Sequence, residues 1–539
     1  MSKTSNIPTQ ELLRYNLTDT LATFWTFNKY YPKLLQDQQG GIYNDLFKPS
    51  TKTLIQMEIS GMPMDASRIQ EVREHLQAQE NSYLEVLNNS PLIKTLNLIV
   101  QQDAMKAANA KLKTKQHPIE KFVGISFNPN SGPQVQKLLY EQMGLPVLDF
   151  TDTKQPATGG DTLKKLLNHV QDPGHRQVLE ALVGLSEVSK ILTAFIPNFE
   201  KGIDKADGKK YLHGNFNLGG TVSGRMSSSQ PNLQQIPSGS KYGKLIKSCF
   251  SAPEGWLFVG ADFNALEDRI NALLTKDPNK LKVFTDGFDS HCLRSYYFFP
   301  DRLPGITEDV ESINSIKDLF PQVRQDAKSP AFAIQYAGTW RTLVKNLGFE
   351  EGLAKQIETN FHEMYAVSGQ WVKTEIAKAA ACGYAETAFG LRIRTPLLAQ
   401  TYLGQDSTPR EAEAEARTLG NAISGQAYGL LNNRAGNAFM EKVWKSKYRH
   451  DIKPVAMVHD AFYLLIRDDV NVVDWVNREL PLEMSWQELP EIQHPTVKLG
   501  AALDIFWPSW ANAITLPNDA NQQEIVDVCA KAKADYLNK

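Results

Sequence analysis

The spacing of apolar and polar positions divides the chain into a helical first part, a loop-rich middle and a mixed remainder. From 66 to 125, apolar residues recur at three- and four-residue steps with few breakers, which predicts mostly helix. Pro and Gly then punctuate FNPNSGPQ and GLPVLDFTDTKQPATGGDT, so helices there are joined by structured loops. The helical period returns from 174 to 201 and stops near Gly202. From 211 to 253, Gly, Ser and Pro dominate, and loops with short strands are expected. Two β-rich apolar runs read as buried strands, WLFVGADF at 256–263 and VAMVHDAFYLLI at 455–466. Long helical stretches lie between them, notably 319–338, 352–380 and 410–445. The predicted class is mixed α and β, with a small sheet and many helices.

Composition narrows the class. Of 539 residues, 42% are hydrophobic and 22% charged, ordinary globular usage that excludes a disordered chain, a collagen-like repeat and a coiled-coil rod. No stretch approaches the ~18 apolar residues of a spanning helix, and MSKTSNIPTQ carries no secretory apolar region. Cys249, Cys292, Cys382 and Cys529 are scattered without a C-x-x-C pair, which argues for idle thiols in a reducing cytosol and against a disulfide or zinc scaffold. The net charge of -2, from 58 Lys and Arg against 60 acids, on its own argues against a nucleic-acid partner. Charge placement reverses that. Between 209 and 250 there are six cations (Lys209, Lys210, Arg225, Lys241, Lys244 and Lys247) and no acid, embedded in the amide- and hydroxyl-rich SGRMSSSQPNLQQIP. Such donors suit phosphates and minor-groove acceptors, although a charge run is more often a solvated face. A second acid-free window, 104–119, carries Lys106, Lys111, Lys113 and Lys115.

Each predicted strand carries a carboxylate where a buried strand should have none: Asp262 and Asp460. Either alone could simply begin a turn. Together they suggest a shared Mg²⁺ site, since Mg²⁺ takes one or two carboxylates plus substrate phosphates, and two ions ~4 Å apart can align a phosphoryl transfer. Arg324, Lys328, Phe332 and Tyr336 follow at four-residue steps, one face of a helix with two cations and then two rings. Cations suit a triphosphate and rings a base; the plain alternative is a solvated basic turn running into a core-facing aromatic turn. Pro330 is expected to kink or loosen this helix near Asp326.

In order, these segments resemble the polymerase module of the family A DNA polymerases, the DNA polymerase I family. SGRMSSSQPNLQQIP is similar to its T-G-R-x-S-S-S-x-P-N-L-Q-x-I-P signature, DFNALEDR to motif A, RQDAKSPAFAIQYAG to motif B, GYAETAFGLRIRTP to G-Y-x-E-T-x-x-G-R-R-R, and VHDA to motif C, V-H-D-E. The resemblance runs from MEISGMPMD to KLGAALDIFW, most of the chain. It implies an α+β right-hand polymerase with a small antiparallel palm sheet, acting on primer-template DNA and dNTPs with two Mg²⁺ ions, Mn²⁺ substituting. Asp262 and Asp460 then correspond to the metal-binding carboxylates, with the Phe263 carbonyl assisting. Glu267 corresponds to the residue that blocks a ribose 2′-hydroxyl. Arg324 and Lys328 correspond to the triphosphate holders, Lys328 also donating a proton to pyrophosphate; Phe332 and Tyr336 pack the nucleotide and template, and His291 is a further phosphate contact. Arg225, Asn232, Gln234, Arg417, Asn421 and His459 correspond to primer-template contacts.

The expected layout is 1–60 exonuclease remnant and connector, 61–205 thumb, 206–275 and 400–515 palm, 276–399 fingers, and 516–539 a tail without a reading. Departures include Asn264, Ala265 and Asp268 in motif A, Ala461 for the motif C glutamate, Ala337 for a glycine, and Gly425-Gln426-Ala427 in the family's Q-G-T-A-A-D stretch. They suggest a diverged phage-type enzyme in the cytoplasm of an infected bacterial host. YNLTDTLAT resembles the third proofreading exonuclease motif, Y-x-x-x-D, through Tyr15 and Asp19. The motifs that should precede it are missing, so a split polymerase is expected, with most of the exonuclease on a separate chain. The lysines within 104–121 suit a thumb-tip DNA contact or a processivity factor. The competing readings are a single-subunit RNA polymerase, against which Glu267 and the SGRMSSS loop argue, and a catalytically silent DNA-binding scaffold.

Overall fold

The structure, a computed structural model, describes residues 7–112, 116–236, 241–336, 338–401 and 409–538. Lys113, Lys115 and Ala337 therefore lie outside the described residues. At its centre is a five-stranded antiparallel sheet built from β1 (Trp256–Phe263), β2 (Ile452–Val458), β3 (Ala461–Arg467), β4 (Ala501–Phe506) and β5 (Ala513–Thr515), in the order β5-β4-β1-β3-β2. The 455–466 run is thus not one strand but a hairpin. His459 adopts φ 54 and, with Asp460, makes the turn. The polar pair that interrupts the apolar run is the turn itself, a place where a left-handed residue is tolerated.

Alternation along β1 sorts its side chains. Val259, Ala261 and Phe263 are buried with Phe462 and Leu464 of β3 and Leu503 and Ile505 of β4. The helices α2 (Lys48–Ser60) and α12 (Leu430–Lys445) share this core, Phe439 of α12 meeting Phe462 edge-on. Asn437 of α12 donates to the Leu46 carbonyl and to Ser50 Oγ, at 3.2 and 2.9 Å, and accepts from Thr53 Oγ1 at 3.1 Å. Residues 48–60 are therefore stitched to the sheet. By contrast α1 (Thr9–Gln36) buries none of its residues.

A second apolar cluster gathers α3 (Ala66–Asn89), α4 (Pro91–Asn109) and α5 (Pro173–Lys190). Asp65 caps α3 by accepting from the Arg68 amide at 3.1 Å, and Asp172 caps α5 from His175 at 2.8 Å, both before periodic apolar residues as helix starts require. Gly184 lets α5 approach α3: a Cβ there would lie 2.3 Å from the Tyr83 ring. A third cluster holds α7 (Ser290–Phe298), α8 (Pro321–Gln335) and α9 (Glu351–Met364) together. The 352–380 and 410–445 stretches each break once. The first divides at Tyr365 into α9 and α10 (Ala366–Cys382). The second divides into α11 (Arg410–Ile423) and α12 at Gly425, whose φ of 152 suits glycine. The 66–125 stretch leaves regular α-helix after Asn109. α8 stays helical through Pro330, so the lost donor is absorbed without a break.

Candidate active site

The register of the sheet brings the two carboxylates together. Asp262 pairs across β1 and β3 with Ala461, next to Asp460, and the Phe263 amide donates to the Asp460 carbonyl at 3.4 Å. Asp262 lies on the solvent-accessible side of the sheet, flanked by Ala461 on one strand and Ala502 on the other. Small neighbours leave a recess of about 290 Å³ beside it, lined among others by Lys244, Lys247, Tyr463 and Asp504. Burial, then the charges of Asp460 and Asp504, push the Asp262 carboxyl up to about 6. The residue remains open to water, so the surrounding strands deprive the carboxyl of only part of its hydration. Asp460 is likewise raised by burial, with Arg225 and His459 opposing. Asp460 Oδ1 is buried without a hydrogen-bond partner, and Arg225 Nη2 lies 3.5 Å away.

Two carboxylates that each favour a proton, one with an unused lone pair, are a donor set that suits a divalent cation, hard and oxygen-seeking. Among the described residues no group of three or more His, Cys, Asp or Glu forms a ready metal cage.

Glu267 begins α6 (Leu266–Thr275) and extends the cluster. Its Oε1 accepts from Tyr336 Oη at 3.0 Å and its Oε2 lies 3.8 Å from Arg225 Nη2. Burial raises its carboxyl despite both partners, and desolvation with the adjacent charge pushes the Tyr336 hydroxyl up to about 12. Arg225 therefore sits between Asp460 and Glu267. Gln234 ties the basic loop to the hairpin: Nε2 donates to Met457 O and Oε1 accepts from the His459 amide, both at 2.8 Å. Asn232 holds Gln234 by accepting its amide at 3.1 Å.

Along α8 the four-residue face is real. Arg324 grips Asp289 with Nε and Nη2 at 3.2 and 2.7 Å; Lys328 Nζ donates to Gln325 Oε1 at 2.9 Å; Phe332 meets the His291 ring edge-on at 6.1 Å. Phe332 and Tyr336 are 42% and 40% exposed, which rules out the core-facing aromatic turn. Burial and the cations Arg294, Arg324 and Lys328 hold His291 down at about 4, so it is neutral at pH 7. Asp289, whose carboxyl falls to about 2 through hydrogen bonds from Arg324 and Cys292, also caps α7 at the His291 and Cys292 amides.

Other expected residues are not joined to this cluster. Arg417 is exposed on α11, 3.9 Å from Glu413, and Asn421 is half-buried on the same helix. Tyr15 and Asp19 lie one turn apart on exposed α1. The acid-free window is also not uniform, because Lys209 and Lys210 pair with Asp65 and Asp204 at 3.0 and 2.9 Å, whereas Lys244 and Lys247 face the Asp262 recess. Residues that sequence reasoning passed over include Asp289, Asn432, Asn433 and Asp504. Asp504 bears the same mark as Asp262, an acid in a β-rich apolar run, and that signal could have found it.

Residues 100–505 match DNA polymerase family A. The chain belongs to that family. This family A chain is 25% identical over 449 residues to the thermostable DNA polymerase I of Thermus filiformis, aligning 82% of itself with 46% of that protein. It is 27% identical over 390 residues to DNA polymerase I of Pseudomonas aeruginosa, 70% of itself with 40% of that protein. The chain thus spans less than half the length of these relatives. Its fold is similar to the POL domain of Pol1 from M. smegmatis, solved in complex with DNA primer-template and dNTP, with a TM-score of 0.67 and 20% identity over 89% of this chain and 73% of that one. The α+β fold is that of a polymerase domain. Among the described residues no helix is long and apolar enough to cross a membrane.

Proposed function

We propose that the chain is a template-directed DNA polymerase that extends a primer 3′ end with dNTPs. The convergence of Asp262 and Asp460 with the Glu267–Tyr336 pair, at the foot of the Arg324–Lys328–Phe332 face, carries this reading, and family membership supports it. In the reaction the primer 3′-hydroxyl oxygen forms a bond to the α-phosphorus while the bond to the pyrophosphate oxygen breaks. Asp262, Asp460 and the Phe263 carbonyl would hold two Mg²⁺ ions, Mn²⁺ substituting, which supply charge neutralisation of the attacking and leaving oxygens. Arg324 and Lys328 hold the triphosphate by charge-assisted hydrogen bonds, and Lys328 donates the proton to pyrophosphate. Neutral His291 offers a hydrogen bond to the same phosphates. Phe332 and Tyr336 pack the nucleotide, and Glu267, fixed by Tyr336, closes the space a ribose 2′-hydroxyl would need. Arg225, Asn232, Gln234 and His459 form the primer-template wall beside the hairpin, with Arg417 and Asn421 further along the duplex. Rate enhancement comes mainly from positioning and electrostatics.

In this reading 61–205 form the thumb, 206–275 and 400–515 the palm, and 276–399 the fingers. The primary test is primer extension by the purified chain: Asp262→Ala and Asp460→Ala should each abolish synthesis while duplex binding persists. Synthesis retained by either variant would refute the carboxylate assignment, and rNTP against dNTP extension separates this reading from an RNA polymerase.

A finer reading concerns partners and setting. Among the described residues nothing covers the exposed Leu13, Leu17, Leu21, Phe24 and Trp25 of α1, which supports α1 as the Tyr15/Asp19 element of a proofreading exonuclease completed by a separate chain. Co-purification with a nuclease-bearing chain, and loss of proofreading by Asp19→Ala in the assembly, test it. The motif departures support a phage enzyme working in the host cytoplasm, with a processivity factor as a further partner.

A further inference from the structure

Two lobes meet away from the central sheet. One is the helical unit proposed as the thumb, whose apolar cluster includes Leu163 and Leu166 of the short helix Gly160–Leu166. The other is the unit proposed as the fingers, whose cluster includes Leu343 of the helix Trp340–Leu347 that follows α8. Among the described residues the two clusters have none in common. Each lobe is rooted separately. Ile69, Val72 and Leu76 of α3 and Val188 of α5 belong to the same core as Val259 and Phe263 of β1. On the other side, Asn271 of α6 accepts from Ser368 Oγ of α10 at 3.3 Å and from Lys280 Nζ at 2.5 Å.

The outer ends of the lobes touch through polar groups. Lys345 Nζ lies 2.9 Å from Asp149 Oδ1, while Lys165 Nζ and Thr162 Oγ1 donate to Asp149 Oδ2 at 2.9 and 3.1 Å. Burial alone would raise the Asp149 carboxyl, but hydrogen bonds from Lys165, Lys345 and Thr162 hold it down at about 2. Asn168 Nδ2 donates to the Asn346 carbonyl at 3.0 Å, and His169 Nε2 to the Lys345 carbonyl at 2.7 Å. Both carbonyls belong to the last turn of a helix, where the helix itself supplies no donor, so the first lobe caps the second. The backbones are close as well: Gly348 has φ 73, and a Cβ there would lie 2.6 Å from the Asn168 carbonyl oxygen. One partly exposed ion pair and a few hydrogen bonds, with no shared apolar core, make a contact that opens readily and that salt weakens.

The two roots and this bridge complete a circuit, with Asp262 and Asp460 at its base and the Arg324–Phe332 face on one arm. We propose that the bridge is a clasp that closes the protein into a ring around duplex DNA. DNA then enters by opening the clasp or by threading an end, and it leaves slowly while the clasp holds. The inference rests on the polymerase reading and adds to it a means of retention within the chain itself, independent of any separate processivity factor.

The test closes the clasp covalently. Asp149→Cys and Lys345→Cys are combined in a full chain whose exposed and half-buried cysteines are removed by Cys382→Ser and Cys529→Ser; Cys249 and Cys292 are buried and stay. A short bismaleimide then joins the pair. Joined after binding to a primed single-stranded circle, the protein should stay on the DNA at salt that strips the unjoined form, and linearising the circle should release it. Joined before mixing, it should load onto linear primed DNA and not onto the circle. A joined protein that salt strips from the circle, or that loads onto the circle as fast as the unjoined form, overturns the proposal. Binding to neither DNA would mean that the contact shuts the cleft, and a pair that the reagent fails to join would mean that the segments do not meet; each also overturns it. Without cross-linking, Lys345→Glu should shorten the tract made per binding event about threefold, the scale of one partly exposed ion pair, with the single-turnover addition rate unchanged. An unchanged tract length refutes the retention role. Wild-type protein that extends no primer overturns the polymerase reading instead, while retention on circular against linear DNA still reports on the clasp.

Discussion

Replacing Asp262 by Asn should make the metal-free protein more stable at neutral pH, although it removes a residue at the centre of the site. The Asp262 carboxyl moves from 3.8 to about 6 on folding, through burial and through Asp460 and Asp504. The folded state therefore binds this proton more tightly than the unfolded state. Below the unfolded value both states are protonated and the group contributes nothing. As pH rises through the interval up to about 6 the unfolded chain ionises first, and stability falls. Above that interval the full penalty is present. Two pH units correspond to roughly 3 kcal/mol, but Asp262 is open to solvent on one side, and screening reduces this to about 1 kcal/mol. The assay is urea denaturation with chelator present at pH 7.5 and pH 4.5. Asp262→Asn should exceed wild type by about 1 kcal/mol at pH 7.5 and by much less at pH 4.5. Added Mg²⁺ should stabilise the wild type at pH 7.5 and not the variant. A variant less stable than wild type at pH 7.5, or a difference that does not shrink on acidification, would refute the reasoning.

Further expectations concern the nucleotide face and the frame behind it. Phe332→Tyr adds a hydroxyl to an exposed ring beside His291 and should relax discrimination against dideoxynucleotides by about tenfold or more; equal ddNTP:dNTP ratios for both forms count against the placement of Phe332. Glu267→Ala removes the acceptor of Tyr336 and opens the space beside it, so rNTP incorporation should rise relative to dNTP in single-nucleotide extension, and unchanged selectivity argues against a role for Glu267 in sugar choice. Asp277 is fully buried and accepts from the amides of Asn279, Lys280 and Ser368 at 3.0, 3.3 and 2.9 Å. Asp277→Ala leaves these donors uncovered and should cost about 3 kcal/mol in chemical denaturation; a loss below ~1 kcal/mol would show that water replaces the carboxylate.

Legibility differed by residue for physical reasons. Asp262 and Asp460 could be singled out because an acid in an apolar run conflicts with burial, and the conflict is visible locally. The α8 face was readable because helical periodicity turns spacing into direction. The hairpin at His459–Asp460 was misread as one strand, since a two-residue turn between apolar runs looks like an interruption. Asp289 was missed because its importance lies in Arg324, 35 residues away in sequence. Nothing local distinguishes Asn432 and Asn433 from ordinary helical residues; only their depth, with Asn432 Oδ1 and Asn433 Nδ2 unpaired, does.

Local chemistry along the chain determined the kinds of element, the motif order, the two strand carboxylates and the cation–aromatic helix face, because each depends on neighbours a few residues apart. Tertiary structure alone decided that Asp262 and Asp460 meet, that Arg225 stands between Asp460 and Glu267, and that Tyr336 closes on Glu267. It also decided that three of the six cations in the basic window, Lys209, Lys210 and Arg225, are held in ion pairs while Lys244 and Lys247 face the Asp262 recess. The carboxylate pairing is a matter of register between strands whose paired residues, Asp262 and Ala461, are distant in sequence, and Tyr336 reaches Glu267 across 69 residues. Sequence spacing carries no record of which face a distant partner will present.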